Sequence, residues 1–140
     1  MIARAALLAL ALCAGVSAAI ASSPNAVEGA WEFKTVPFQG DCVMTGRLIV
    51  RPRAGGASHA CELVAYQTCT GLKITTKQTC SLSEKNGAVT IKSAIVHSTS
   101  AQYAPDDFAL KLESPARMTG ELRSADIASV VFYRGAEAIS

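Results

Sequence analysis

Four cysteines sit symmetrically about two glycine-containing dipeptides, and this symmetry constrains the fold more than any other feature of the chain. Cys42 and Cys69 are equidistant from Gly55-Gly56, and Cys61 and Cys80 are equidistant from Thr70-Gly71. If each dipeptide centres a hairpin, each cysteine pair meets directly across neighbouring antiparallel strands. Cys61 and Cys69 then share one strand, about 27 Å apart when it is straight, and cannot bond each other. The alternative pairing, Cys42 with Cys61 and Cys69 with Cys80, needs hairpin centres at Arg51-Pro52 and Ile74-Thr75, which are poorer turns. Cys42–Cys69 and Cys61–Cys80 are therefore expected, each stabilising by about 3–4 kcal/mol through loop closure. With no C-x-x-C spacing and 2 histidines in the chain, a redox or metal role for these cysteines is the weaker reading.

Period-two alternation of apolar side chains continues through the rest of the sequence, and no helical period exceeds two turns. The expected strands are 31–38, 42–51, 59–69, 72–82, 88–97, 108–113, 117–124 and 128–134. Asn86-Gly87 is the strongest hairpin dipeptide, and 98–106 is a longer loop carrying Tyr103 and Pro105. Pairing about these turns sets Phe33 against Gly46, Trp31 against Leu48, Leu48 against Leu63, Leu82 against Ile91, Leu110 against Gly120 and Met118 against Phe132. Each hairpin thus puts its apolar set on one face and charges such as Glu32, Lys77 and Lys111 on the other. Eight consecutive antiparallel strands with one inward face predict an all-β, up-and-down barrel closed on itself, with two disulfides. A two-layer β-sandwich is the alternative that the same alternation permits. Bulky inward residues (Trp31, Phe33, Phe108, Phe132) face small or polar ones (Gly46, Thr76, Gln67, Gln78, Gly120). That pattern suits an interlocked, filled core, and it also suits a ligand cavity.

The N-terminus gives an address. A basic start at Arg4, an apolar run over 5–16, and small-x-small sites ending at Ala18 and Ala21 form the layout of a secretory signal peptide. Domains are therefore expected as a signal peptide over 1–21, a flexible tail over 22–28 and a barrel over 29–140, in the periplasm or outside the cell, where disulfides persist. About 120 residues remain after cleavage, enough for one core. Without Arg4 the charges nearly balance, at 12 basic and 11 acidic side chains, which gives no electrostatic case for nucleic acid or an anionic membrane. No later stretch is long and apolar enough for a membrane helix. Leu10-Ala11-Leu12-Cys13 resembles a lipoprotein lipobox, but Leu12 stands where that pattern wants a small residue, so soluble export is favoured over a lipid anchor at Cys13.

Gly29-Ala30-Trp31 reads G-x-W at the first strand, and Arg134 ends the last. Together these resemble the signature of the calycin superfamily, which includes lipocalins, avidins and small bacterial inhibitors of secreted metalloproteases. The resemblance implies that Arg134 lies across Trp31 and closes one barrel end, a guanidinium-on-indole contact worth about 0.5–2 kcal/mol. Length and leader are most similar to the metalloprotease inhibitors, whose disulfide from the start of strand two to the end of strand three has its counterpart in Cys42–Cys69. Cys61–Cys80 departs from that pattern. In that family an N-terminal tail enters the protease cleft. The matching residues here begin with Ser22, Ser23, Pro24 and Asn25 and run to Glu28, a composition that a disordered tail shares. The partners so implied are a secreted protease or a small apolar ligand.

No nucleophile–base constellation or phosphate loop can be assembled, so the chain reads as a binding module rather than an enzyme, with no cofactor and no metal. His59 and His97 read as rim residues. Asp106-Asp107 reads as turn chemistry before strand six, with weak calcium binding as the alternative. Arg47, Arg51 and Arg53 make a charged, soluble rim or a site for an anion. Tyr103 is the best single candidate for contacting a partner, or it folds down to cap the barrel. An envelope structural or interaction protein without a ligand is the remaining possibility.

Overall fold

The computed structural model describes residues 26–56 and 58–135. Eight strands follow one another: β1 Gly29–Thr35, β2 Val43–Val50, β3 His59–Cys69, β4 Leu72–Lys85, β5 Ala88–Ser98, β6 Asp107–Ser114, β7 Arg117–Arg123 and β8 Ile127–Tyr133. Each pairs antiparallel with the next, and β8 returns to β1, closing the barrel. The architecture is the up-and-down barrel that the alternation dictates, not a sandwich.

Registers follow the turn chemistry. Phe33 lies opposite Gly46, Trp31 opposite Leu48, Leu48 opposite Leu63, Leu82 opposite Ile91, Leu110 opposite Gly120 and Met118 opposite Phe132. Asn86 and Gly87 both take positive φ, 52° and 84°, as a two-residue type I′ hairpin requires. Both disulfides are present as Cys42–Cys69 and Cys61–Cys80, with Cys61 directly across from Cys80 on β3 and β4.

Some boundaries differ from the sequence pattern. β1 starts two residues before Trp31 and ends at Thr35, ahead of Pro37, which cannot donate to a ladder. β4 and β5 pair on to Lys85 and Ser98, and a bulge opposite Lys77 and Gln78 turns Val96 out to solvent. The β5–β6 seam is short, joining only 88–91 to 108–111. β5 then swings away with β4, where Thr99 N donates to Thr75 O. The Ser93 amide, left without a ladder partner on β6, donates instead to Asp107 Oδ1 at 2.8 Å.

The core is a stack of rings. Phe33, Phe108 and Phe132 are all buried, with centroids 4.9–5.5 Å apart, distances at which edge-to-face and offset contacts are favourable. Gly46 makes room for this cluster. A Cβ at that position would lie 2.5 Å from the Phe33 ring and 2.2 Å from Val64 O. Gly120 is confined in the same way, against Ala109 O at 2.1 Å. Close approach of side chain and backbone is the reason a strand interior carries glycine at these two places.

Gly46→Val should therefore lower the unfolding free energy by about 2–4 kcal/mol, since neither the ring nor the Val64 carbonyl can yield cheaply. Urea unfolding of the oxidised protein measures this; a loss below about 1 kcal/mol would show that the ring cluster can repack.

Candidate functional site

The two barrel ends differ. At one end lie the start of β1, the β2–β3, β4–β5 and β6–β7 turns and the end of β8. Trp31 is fully buried there, and the Arg134 guanidinium carbon stands 4.1 Å over its ring centre. Arg134 donates through Nε to Pro115 O at 2.8 Å, and through its two terminal nitrogens to the carbonyls of Glu28 and Ala26. Trp31 Nε1 donates to Val27 O at 2.9 Å, and the Val27 side chain is buried. Partial burial pulls the Arg134 pKa below the usual guanidinium value, yet it remains a cation at any physiological pH. His59, expected on the rim, is 2 % exposed at this end. Its Nδ1 lies 3.0 Å from Arg51 O, an acceptor only, so Nδ1 carries the proton. Of the proposed tail, Ala26–Glu28 are thus tied to the barrel. Ser22, Ser23, Pro24 and Asn25, like the leader and Cys13, lie outside the described residues.

The opposite end holds the segments 36–42, 70–71, 99–106 and 124–126. A cavity of about 160 Å³ opens between them. Its apolar wall is Phe38, Met44, Ile74 and Leu122, and Gln67 and Tyr103 supply polar groups. Tyr103 is folded inward, packed on the core, with its hydroxyl donating to Asp106 Oδ2 at 2.9 Å and lying 3.9 Å from Met44 Sδ. The same Asp106 oxygen accepts from Gln78 Nε2 at 2.7 Å, while Gln78 Oε1 accepts from the Asp106 amide at 2.9 Å. Gln78 Nε2 also reaches Thr76 Oγ1 at 2.9 Å. Asp106, Gln78 and Thr76 are buried in the interior behind the mouth, and Tyr103 is the member of this network that also lines the cavity.

Burial raises the Asp106 pKa above its ordinary 3.8, against the opposing pull of hydrogen bonds from Gln78 and Tyr103. The Tyr103 phenol is pushed up by burial and by the Asp106 charge. The turn reading of Asp106-Asp107 therefore needs correcting for Asp106, which is an interior residue. Counting back from Phe108 by two gives the signal that finds it, because alternation aims Asp106 at the same interior. Asp107, by contrast, serves the Ser93 amide and reaches Lys92 at 3.4 Å. Among the described residues no three His, Cys, Asp or Glu side chains gather as a metal ion would need.

The basic tip has local partners. Arg51 pairs with Glu62 at 3.1 Å, Arg53 folds back on Gly56 O, and Arg47 stands opposite Glu32. A second depression of about 300 Å³ lies on the outer surface of β2–β5 between Arg47, Lys77 and Val96.

No family model and no curated protein matches the chain. Solved structures do. A de novo designed fluorescence-activating beta barrel superimposes with a TM-score of 0.55 at 16 % identity, covering 80 % of this chain and 96 % of that one. A redesigned beta barrel, mFAP1, bound to DFHBI gives 0.54 at 16 % identity over 80 % of this chain and 100 % of that one. A further redesigned barrel gives 0.56 at 14 % over 80 % and 94 %. The likeness is one of fold. Designed ligand-binding barrels share the shape of this chain, and no protease inhibitor appears among these neighbours.

Two outcomes test this geometry. Between pH 3.8 and the raised native pKa of Asp106, the folded chain binds more protons than the unfolded one, so stability should fall as pH rises through that window. Asp106→Asn can keep both bonds to the Oδ2 position through its amide oxygen. The difference between wild-type and variant unfolding free energies should then carry the slope, and a difference flat across pH 4–8 would deny Asp106 its buried, proton-binding role. Arg134→Ala should cost about 2–4 kcal/mol in chemical unfolding, because it removes the ring contact and leaves the carbonyls of Ala26, Glu28 and Pro115 without their donor.

Proposed function

We propose that this chain is a non-enzymatic binding module that takes a small organic group into its open mouth. The observation that carries this reading is the asymmetry of the barrel. One end is sealed by Trp31, Val27 and Arg134, and the other ends in a cavity whose Tyr103 is anchored to the buried Asp106 network. The lining sets apolar side chains such as Phe38, Met44 and Ile74 beside polar ones such as Gln67, Gln102 and Asp126, and apolar contact with placed polar groups is how a ligand site fixes orientation. At about 160 Å³ the mouth has the bulk of roughly five water molecules, which suits a single ring or a short chain. The likeness to designed ligand-binding barrels supports the same reading.

The two disulfides fit an oxidising compartment, and the 1–21 leader points to the periplasm or the exterior. Protease inhibition finds no support, since the last three residues of the proposed inhibitory segment are engaged in closing the barrel.

Titration of the isotope-labelled, oxidised chain from Ser22 to Ser140 with benzyl alcohol tests the proposal by amide chemical shifts. Saturable shifts are expected at Met44, Gln67, Ile74, Tyr103 and Leu122, and Ile74→Arg should abolish them. Absence of saturation, or shifts confined to the Trp31 end, would overturn the mouth as a site.

A further inference from the structure

Charge is divided along the barrel axis. The four segments around the mouth, 36–42, 70–71, 99–106 and 124–126, contain Asp41, Asp106 and Asp126, and no lysine, arginine or histidine. The segments at the sealed end carry Arg51, Arg53 and Arg134 against Glu28. The cations nearest the mouth, Lys34, Lys73 and Arg123, are exposed on the outer face, because their neighbours Phe33, Ile74 and Leu122 point inward. β1, at 7 residues, already spans about 23 Å, more than two screening lengths of roughly 8 Å at physiological salt. The arginines of the sealed end are therefore not felt at the mouth, and the charges placed in its wall and at its rim are the carboxylates of Asp126 and Asp41.

Asp126 lies in the cavity wall itself. Its Oδ2 accepts from the neutral amide of Gln39, and no cation pairs with it among the described residues. Asp41 accepts from Thr70 N at 2.7 Å, and hydrogen bonds from Thr70 hold its carboxyl below the ordinary value, so it stays ionised. The same wall presents two aromatic rings, Phe38 and Tyr103, whose faces attract cations. An anionic ligand would meet the Asp126 carboxylate with no cation in the cavity lining to neutralise it.

From this we infer that the mouth selects an organic cation, an amine or quaternary ammonium on a small apolar body, over the matching neutral and anionic molecules. The inference rests on the mouth being a ligand site and adds the sign of the ligand's charge. Benzylammonium, benzyl alcohol and benzoate share one ring and carry charges of opposite sign or none, so they separate the two claims.

Dissociation constants are read from the amide shifts of the mouth at low salt, at physiological salt and at high salt. Benzylammonium should bind on the order of fivefold more tightly than benzoate at physiological salt, the ratio expected for one unit charge about 6 Å away in water with partial screening. Benzyl alcohol should fall between them. The gap should shrink at high salt and in Asp126→Asn, whose unchanged spectrum away from the mouth certifies its fold. If all three ligands saturate the mouth with equal affinity, or benzoate binds best, the charge preference is wrong and the mouth site stands. A preference that survives Asp126→Asn undiminished also overturns the assignment. If none of the three saturates, the mouth is not a site and both claims fall.

Discussion

Cys61 and Cys80 face each other across β3 and β4, and Cys42 ties β2 to the end of β3. Everything inside the barrel depends on that lateral lock. A slip of one residue would exchange the two faces of a strand, sending Leu63 and Ala65 to solvent and Glu62 and Val64 inward. With the register held, Gly46 falls opposite Phe33 and beside the backbone of Val64. The ring of Phe33 can then lie against Phe108 and Phe132. The same parity aims Gln78 at the interior, where it meets Asp106.

The two ends solve one problem in different ways. A strand end leaves backbone groups without ladder partners, and burying them unpaired is costly. At the sealed end a single guanidinium answers three carbonyls, those of Ala26, Glu28 and Pro115, while its flat face covers the indole. Closure there is completed by the buried side chains of Trp31 and Val27 beneath it. At the mouth the short β5–β6 seam strands the Ser93 amide, and Asp107 answers it from the side. The crossing segment 99–106 is held by Tyr103, Asp106 and Gln78 bonded to one another. The cavity opens beside this network, with Tyr103 common to both.

Much of this was legible in the sequence because alternation and turn dipeptides are local signals. Asn86-Gly87 and the cysteine symmetry give hairpin centres, and a centre plus parity fixes the cross-strand neighbours from Gly29 to Ile95, beyond which the bulge at Lys77 and Gln78 shifts the register by one. The seam between β5 and β6 was not legible, because a loop of eight residues carries no centre. Asp106 was readable only by extending the parity of Phe108 backwards past the strand, against the pull of a Pro-Asp-Asp turn pattern. Val27 hid for a related reason: it is a lone apolar residue after Ser, Pro and Asn, yet it shares the parity of Trp31. The sign of the mouth's charge was present in the sequence and became visible only once four separate loops were known to meet.

Both cystines lie in β2–β4 or at its edges, while β5–β6 and β1–β8 join over short stretches of ladder. The shell is thus half riveted and half hinged. Its β2–β4 wall is cross-linked by sulfur, and the β6–β8 leaf is fastened to the rest of the shell by four residue pairs at either seam.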